Sequence, residues 1–274
     1  MNASYAYIYD DFLADRSVER EVAALETTLN TFNVAGRICR LALFRSAKDL
    51  VAGMVKQGAT TIVAVGNDST LDKVMWFMPD LNVTCGYIPL VGPSQVGELL
   101  GIPTGVNACE VLAARYVETL DVGRLDDRYF LTEVAVRSTV AALDIEGRYR
   151  ISPASGGSLS IRNLGGRSGA MLERADAKDG QLEVVITPNQ GESRSRLWGR
   201  PKPTAETRML FKTGTIISSD PIEAVADNHA VSGFRFEVGV EQGKFRIITG
   251  RGHRRQVLQH DVKSGTFRTA SKRT

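Results

Sequence analysis

The sequence predicts an α/β domain built on a doubly wound parallel sheet, followed by an all-β sandwich domain. Up to about Asp121, short apolar runs alternate with stretches of helical periodicity. Beyond it the helical period stops and short alternating stretches take over. Between these halves in interest, if not in position, stands Thr61-Ile62-Val63-Ala64-Val65, which runs straight into Gly66-Asn67-Asp68-Ser69-Thr70 and then a helical pattern. A glycine there lets the backbone approach a ligand, and the free amides of the next helix favour an anion. The expected boundaries are 1–125 for the α/β domain, 126–250 for the sandwich and 251–274 for a basic C-terminal strand or tail.

Tyr5 to Tyr9 reads as the first strand, ending in Asp10-Asp11. Ser17 is placed to cap a helix whose Val18, Val22, Leu25, Leu29 and Phe32 share a face, with Gly36 closing it. Arg37 to Phe44 is the second strand. Ser46 and Asp49 have capping-box spacing ahead of a helix that lasts until Gly58, and Thr60 to Val65 is the third strand. The Gly66 loop then leads to a helix over Leu71–Met78, a strand over Val83–Leu90, and a second loop over Val91–Glu98. Thr104 is placed to cap a helix carrying Val106, Cys109, Leu112, Ala113 and Tyr116 inward. In a doubly wound sheet ligands sit beyond the carboxyl ends of the strands, where the Gly66 loop lies.

In the second half the expected strands are Tyr129–Arg137, Val140–Asp144, Leu159–Ile161, Leu182–Thr187, Met209–Ser218, Ile222–Ala226, Phe234–Glu241 and Lys244–Thr249. Gln242-Gly243 reads as a tight hairpin turn between the last two. Pro188 to Glu206 is a polar loop, with Trp198 in it.

Composition bounds the classes. At 274 residues, with 43% hydrophobic and 24% charged residues, the chain is of ordinary globular make-up. No apolar run is long enough to cross a bilayer, and the N-terminus lacks a signal-peptide layout. Cys39, Cys85 and Cys109 are widely spaced, which fits small buried residues of a reducing cytoplasm better than a disulfide framework or zinc site. The net charge of +3 divides unevenly: Arg251–Thr274 holds seven basic residues against Asp261, leaving the rest at −3. Such a tail suits peripheral contact with anionic lipid, or is simply a solvated terminus; His253 and His260 within it read as surface residues.

Several blocks in order resemble the diacylglycerol kinase catalytic-domain family, which is related to NAD kinases. Lys56 to Leu71 is similar to its strand and GGDGT loop; Ile88-Pro89-Leu90 followed by Leu100-Gly101-Ile102-Pro103 resembles its second loop block. Asp121 to Arg124 with Arg128-Tyr129-Phe130, Asp179 to Val184, and Thr215 to Ile222 with Ala226 to His229 resemble three later segments. The resemblance implies an ATP- and Mg2+-dependent lipid kinase, with nucleotide and a lipid substrate or membrane surface as partners. Nucleic acid is not expected, and a homodimer is left open.

It also implies roles. Gly66, Asn67, Asp68, Ser69, Thr70, Asp10 and Gly92 would bind the nucleotide; Asp68, Asp121, Asp227 and His229 would serve catalysis; Asp179 and the Leu182 carbonyl would hold a structural magnesium. The departures are specific. Two glycines of the loop are Asn67 and Ser69, the second loop reads Val91-Gly92-Pro93-Ser94-Gln95, and the terminal glutamate base is His229. A neutral imidazole can still take a proton from a hydroxyl. Each site also has a structural reading: Asp68 or Thr70 as a helix cap, Asp121 and Asp179 as turn residues. Two functions follow, a lipid kinase or a degenerate kinase-fold module that binds nucleotide, lipid or a partner without transfer. A soluble NAD-kinase-like enzyme ranks behind both.

Overall fold

The computed structural model describes residues 4–41, 46–138, 140–153, 157–168, 171–188 and 206–250. The end of the second expected strand, Trp198 with most of its loop, and the basic tail with His253 and His260 lie outside these residues.

Strands β1 (Tyr5–Tyr9), β3 (Thr61–Gly66) and β4 (Thr84–Pro89) are buried at every position, as the apolar runs require of strands covered on both faces. With β2 (Arg37–Arg40) they form a parallel array in the order β2-β1-β3-β4. Helices α1 (Glu19–Thr31), α2 (Ala47–Lys56), α3 (Asp68–Met75), α4 (Gln95–Leu100) and α5 (Ala108–Ala114) surround it. Leu25 and Leu29 of α1, Val51 of α2, Val74 of α3 and Leu112 of α5 enter one core with these strands.

The remainder is largely antiparallel. Strands β5 (Val117–Leu125), β6 (Arg128–Phe130), β7 (Glu133–Arg137), β8 (Ala142–Ile145), β9 (Tyr149–Ile151) and β10 (Ser158–Arg162) come first. A separate two-stranded ribbon follows, β11 (Gly165–Ser168) with β12 (Met171–Arg174). Then come β13 (Leu182–Thr187), β14 (Thr207–Phe211), β15 (Thr213–Ala226) and β16 (His229–Ile248). Phe130, Val134, Leu143, Ile161, Phe211 and Phe236 belong to a second hydrophobic core. The far end of β16 lies parallel beside β4 at Ile247↔Cys85 and joins the first core through Phe245, Ile247 and Ile248. The fold is the predicted α/β domain followed by a β region, and β16 ties one to the other.

Several local expectations give way. Asp15, not Ser17, makes the side-chain cap before α1, and Asn33 rather than Gly36 takes the left-handed conformation after it. Gly36 is required for another reason: a Cβ there would lie 2.2 Å from the Tyr5 carbonyl oxygen. Ser46 precedes α2 but makes no side-chain cap hydrogen bond, so the Ser46–Asp49 box does not form. The helix expected over Leu71–Met78 starts at Asp68, and the second loop is half helix, with α4 beginning at Gln95. Thr104 caps only a short 3-10 turn without a side-chain bond; α5 begins at Ala108. Gln242-Gly243 is no hairpin, because β16 runs through it with a register shift against β5.

Candidate site between the lobes

The motif Gly66–Thr70 is the end of β3 plus the first turn of α3 rather than an open loop. Asn67 is the cap: its side chain accepts from the Thr70 amide at 3.0 Å, and the Asn67 amide donates to the Thr70 hydroxyl at 3.0 Å. Gly66 is fixed by this closure, since a Cβ on it would meet Thr70 Oγ1 at 2.2 Å. Thr70, fully buried, donates its own hydroxyl hydrogen bond to the carboxylate of Asp10. Asp10 also receives the Lys73 ammonium at 3.0 Å and the Asp11 amide at 2.8 Å. Burial pushes the Asp10 carboxyl up, but these hydrogen bonds and the Lys73 charge outweigh it and hold it below the usual range.

Asp68 looks the other way. Its carboxylate accepts from Tyr87 Oη at 2.8 Å, from Ser94 Oγ, and from the amides of Gln95 at 2.8 Å and Val96 at 3.3 Å. Ser94 Oγ in turn accepts from the Gly97 amide at 2.7 Å. The first turn of α4 is thus satisfied by side chains of this protein, the strongest of them an internal anion.

Asp227 has a similar task in the second half. It sits at φ 50 between β15 and β16 and accepts from the amides of Leu131 (2.7 Å), Thr132 (2.8 Å) and Glu133 (3.3 Å), and from the Thr132 hydroxyl. Burial nevertheless raises its carboxyl, against the pull of those donors. The neighbouring Asn228 and His229 face the α/β domain.

Two adjoining cavities lie where these elements meet. The smaller, about 90 Å³, is lined by Asp68 and Asp72 of α3, Gln95 and Val96 of α4, and Thr132, Glu133 and Asp227 of the β region. The larger, about 450 Å³, has Asp10, Asp11, Ser69, Asp72, Lys73 and Trp76 on one side and Arg128, Asn228 and His229 on the other. Of the residues singled out in the sequence, Asp10, Asp68, Ser69, Asp227 and His229 therefore converge on one cleft. Gly66, Asn67 and Thr70 shape its wall from behind.

The others lie elsewhere. Asp121 lines neither cavity; its carboxylate ties the Gly180 amide (2.8 Å) to the Gly243 amide (2.7 Å) and so pins the irregular stretch of β16. Asp179 closes its own turn by accepting from the Gln181 amide at 2.9 Å, and Leu182 is a buried residue at the start of β13. Among the described residues no group of three or more His, Cys, Asp or Glu is arranged to hold a metal ion. Gly92 takes φ 77 in an open turn outside both linings.

Sequence reasoning missed Asp72, Lys73 and Arg128. Asp72 is buried and pairs with Arg128 at 2.7 Å, and Arg128 lies over the Trp76 ring at 5.2 Å. Burial first, then the charge of Asp227, push the Asp72 carboxyl up to about 6, while Arg128 pulls the other way. His229 is pushed below its ordinary value by burial and then by the Arg128 charge, so its imidazole is neutral at pH 7. A signal for Asp72 existed, since it stands four residues after Asp68 and must share its helix face.

The Asp72 shift has a stability consequence. Its folded value, about 6, exceeds the reference 3.8, so the native state binds the extra proton between those values. This group's contribution therefore grows as pH falls from 7 toward 4, by up to about 3 kcal/mol for a two-unit shift. Denaturant unfolding at pH 7.5 and 5.0 should show that Asp72→Asn loses this gain; an equal pH response in both proteins would contradict it.

No family model matches the sequence, and no curated protein does. Solved structures do match. A diacylglycerol kinase from Bacillus anthracis str. Sterne is similar over 91% of this chain and 97% of its own, with TM-score 0.72 and 14% identity. Two further structures from that organism, named for the same activity, give TM-scores of 0.73 and 0.71 at 13% identity, over 91% of this chain and 97% and 98% of theirs. The chain thus has the fold of these proteins over 91% of its length.

Proposed function

We propose that this chain is a diacylglycerol-kinase-fold protein that binds a small ligand in the inter-lobe cleft without transferring a phosphoryl group. The observation that carries the reading is the state of the helix starts facing the cleft. The Thr70 amide is taken by Asn67, the Asn67 amide by Thr70, and the Gln95 and Val96 amides by the Asp68 carboxylate. Phosphate recognition at a strand–helix junction uses such amides.

ATP and Mg2+, which the resemblance implies, do not fit these residues. A triphosphate at this junction would meet Asp68, with Asp10 and Asp72 in the adjoining wall. Each like-charge contact at roughly 5 Å costs ~3 kcal/mol at an effective dielectric constant near 20. The carboxylates that could have offered themselves to a metal are already engaged by Tyr87, Ser94 and backbone amides at Asp68, and by Leu131 to Glu133 at Asp227.

A second reading keeps transfer alive through His229, whose neutral imidazole faces the larger cavity and can accept a proton from an alcohol. A labelled-ATP assay against a panel of lipid extracts separates the two. We expect no transfer above the buffer control; turnover that disappears in His229→Asn would establish the kinase reading instead. The basic segment 251–274 supports a peripheral encounter with anionic lipid under either reading.

A further inference from the structure

We propose that the larger cavity is a proton-gated oxyanion site, in which Arg128, His229 and Lys73 hold a small oxyanion once Asp72 stops neutralising Arg128. This deepens the reading above and rests on the cleft being the ligand site. The cations come from different elements, β6, β16 and α3, yet line one 450 Å³ space. Arg128 is positioned independently of Asp72, because its guanidinium also lies over Trp76 at 5.2 Å. Its Nε–H is buried and has no hydrogen-bond partner among the described residues, so the pair with Asp72 leaves part of the guanidinium unsatisfied. The Ser69 hydroxyl and the Asn228 amide stand in the same lining as neutral donors.

The gate follows from the charges facing this space. They are Asp10 and Asp11 after β1, Asp72 and Lys73 on α3, Arg128 on β6 and His229 on β16. Lys48 of α2 lies over Trp76 at 5.6 Å, and Asp227 acts on Asp72 from behind. With His229 neutral, three carboxylates in the lining face two cations, and an anion is repelled. Asp72 is the carboxylate that gives way first, because it is buried beside Asp227 and its carboxyl lies at about 6. Asp10 stays ionised, held low by Thr70 and Lys73. When Asp72 takes a proton Arg128 is left uncompensated, and protonation of His229 adds a further positive charge. Protonation of Asp72 takes the lining from one excess negative charge to balance, and protonation of His229 then makes it positive, so the repulsion of an oxyanion is relieved between pH 7.5 and 5.5. By linkage, an anion that binds the protonated form raises its population.

Sulfate is the probe, because its charge is constant across this window. The His229 ring resonances and backbone amides are followed by NMR during sodium sulfate titrations at fixed ionic strength, at pH 7.5 and 5.5. Sulfate should perturb His229 and Ser69 with an affinity about tenfold higher at the lower pH, a gain between the fully screened and partly screened limits for removing one unit charge about 4 Å away. Asp72→Asn should bind more tightly than the wild type at pH 7.5 and show a smaller response to pH. Arg128→Gln, with its fold confirmed by circular dichroism, should weaken binding at both. Equal affinity at the two pH values, or perturbation confined to other regions, would overturn the proposal, and the wild-type comparison alone suffices if a variant fails to fold. Sulfate is no phosphoryl donor, so failure here leaves the absence of transfer standing, whereas ATP turnover would remove that reading without touching the sulfate result.

Discussion

Asp227→Ala is expected to cost the fold roughly 4 kcal/mol, the largest effect of any single cleft substitution. One carboxylate there accepts four hydrogen bonds, from the amides of Leu131, Thr132 and Glu133 and from the Thr132 hydroxyl. Those donors belong to the turn between β6 and β7, while Asp227 itself joins β15 to β16. Alanine would leave all four without their acceptor, in a backbone position at φ 50 that a plain side chain rarely adopts. Asparagine retains one acceptor oxygen and should cost about half as much. Urea midpoints measure the difference. A second readout guards against a trivial explanation: with the Asp227 charge gone, Asp72 should titrate lower than about 6. An Asp227→Ala protein as stable as the parent would remove the residue from the scaffold of the cleft.

Asp68→Ala should cost roughly 3 kcal/mol, again through orphaned donors. Tyr87, Ser94 and the amides of Gln95 and Val96 converge on its carboxylate, so its loss frees the start of α4 and loosens the wall of the smaller cavity. The effect on stability distinguishes this role from that of a catalytic acid, whose removal leaves the fold intact. A variant that unfolds at the parental urea concentration while losing a measurable turnover would assign Asp68 to chemistry instead.

The strands with both faces covered were legible because their composition leaves little choice. Tyr5–Tyr9 is found with the ends its apolar run implies, and the half-buried Leu182–Thr187 with those of its alternating stretch. The position of the cleft was legible too, since the end of β3 is where a parallel sheet opens. What the sequence hid was the direction of individual side chains. Asn67 and Thr70 could be read as polar loop residues, but only the closed turn reveals that they satisfy each other. The donors to Asp68 come from Tyr87 and Ser94, nineteen and 26 residues further on, and no local periodicity announces such contacts. Gln242-Gly243 has the composition of a turn, yet the Gly243 amide is taken by Asp121, and strand β16 continues past it. Arg128 stayed unnoticed because its partner Asp72 stands in the other half of the fold, 56 residues earlier.

Calorimetric titration with Mg-ATP tests most directly whether the helix starts at the cleft are closed to phosphate. With Asn67 and Asp68 in place, no saturable heat should appear up to about 1 mM nucleotide, an affinity weaker than roughly −4 kcal/mol. Sub-micromolar binding at one site per chain would contradict the account, because those amides could not then be held by the protein's own side chains.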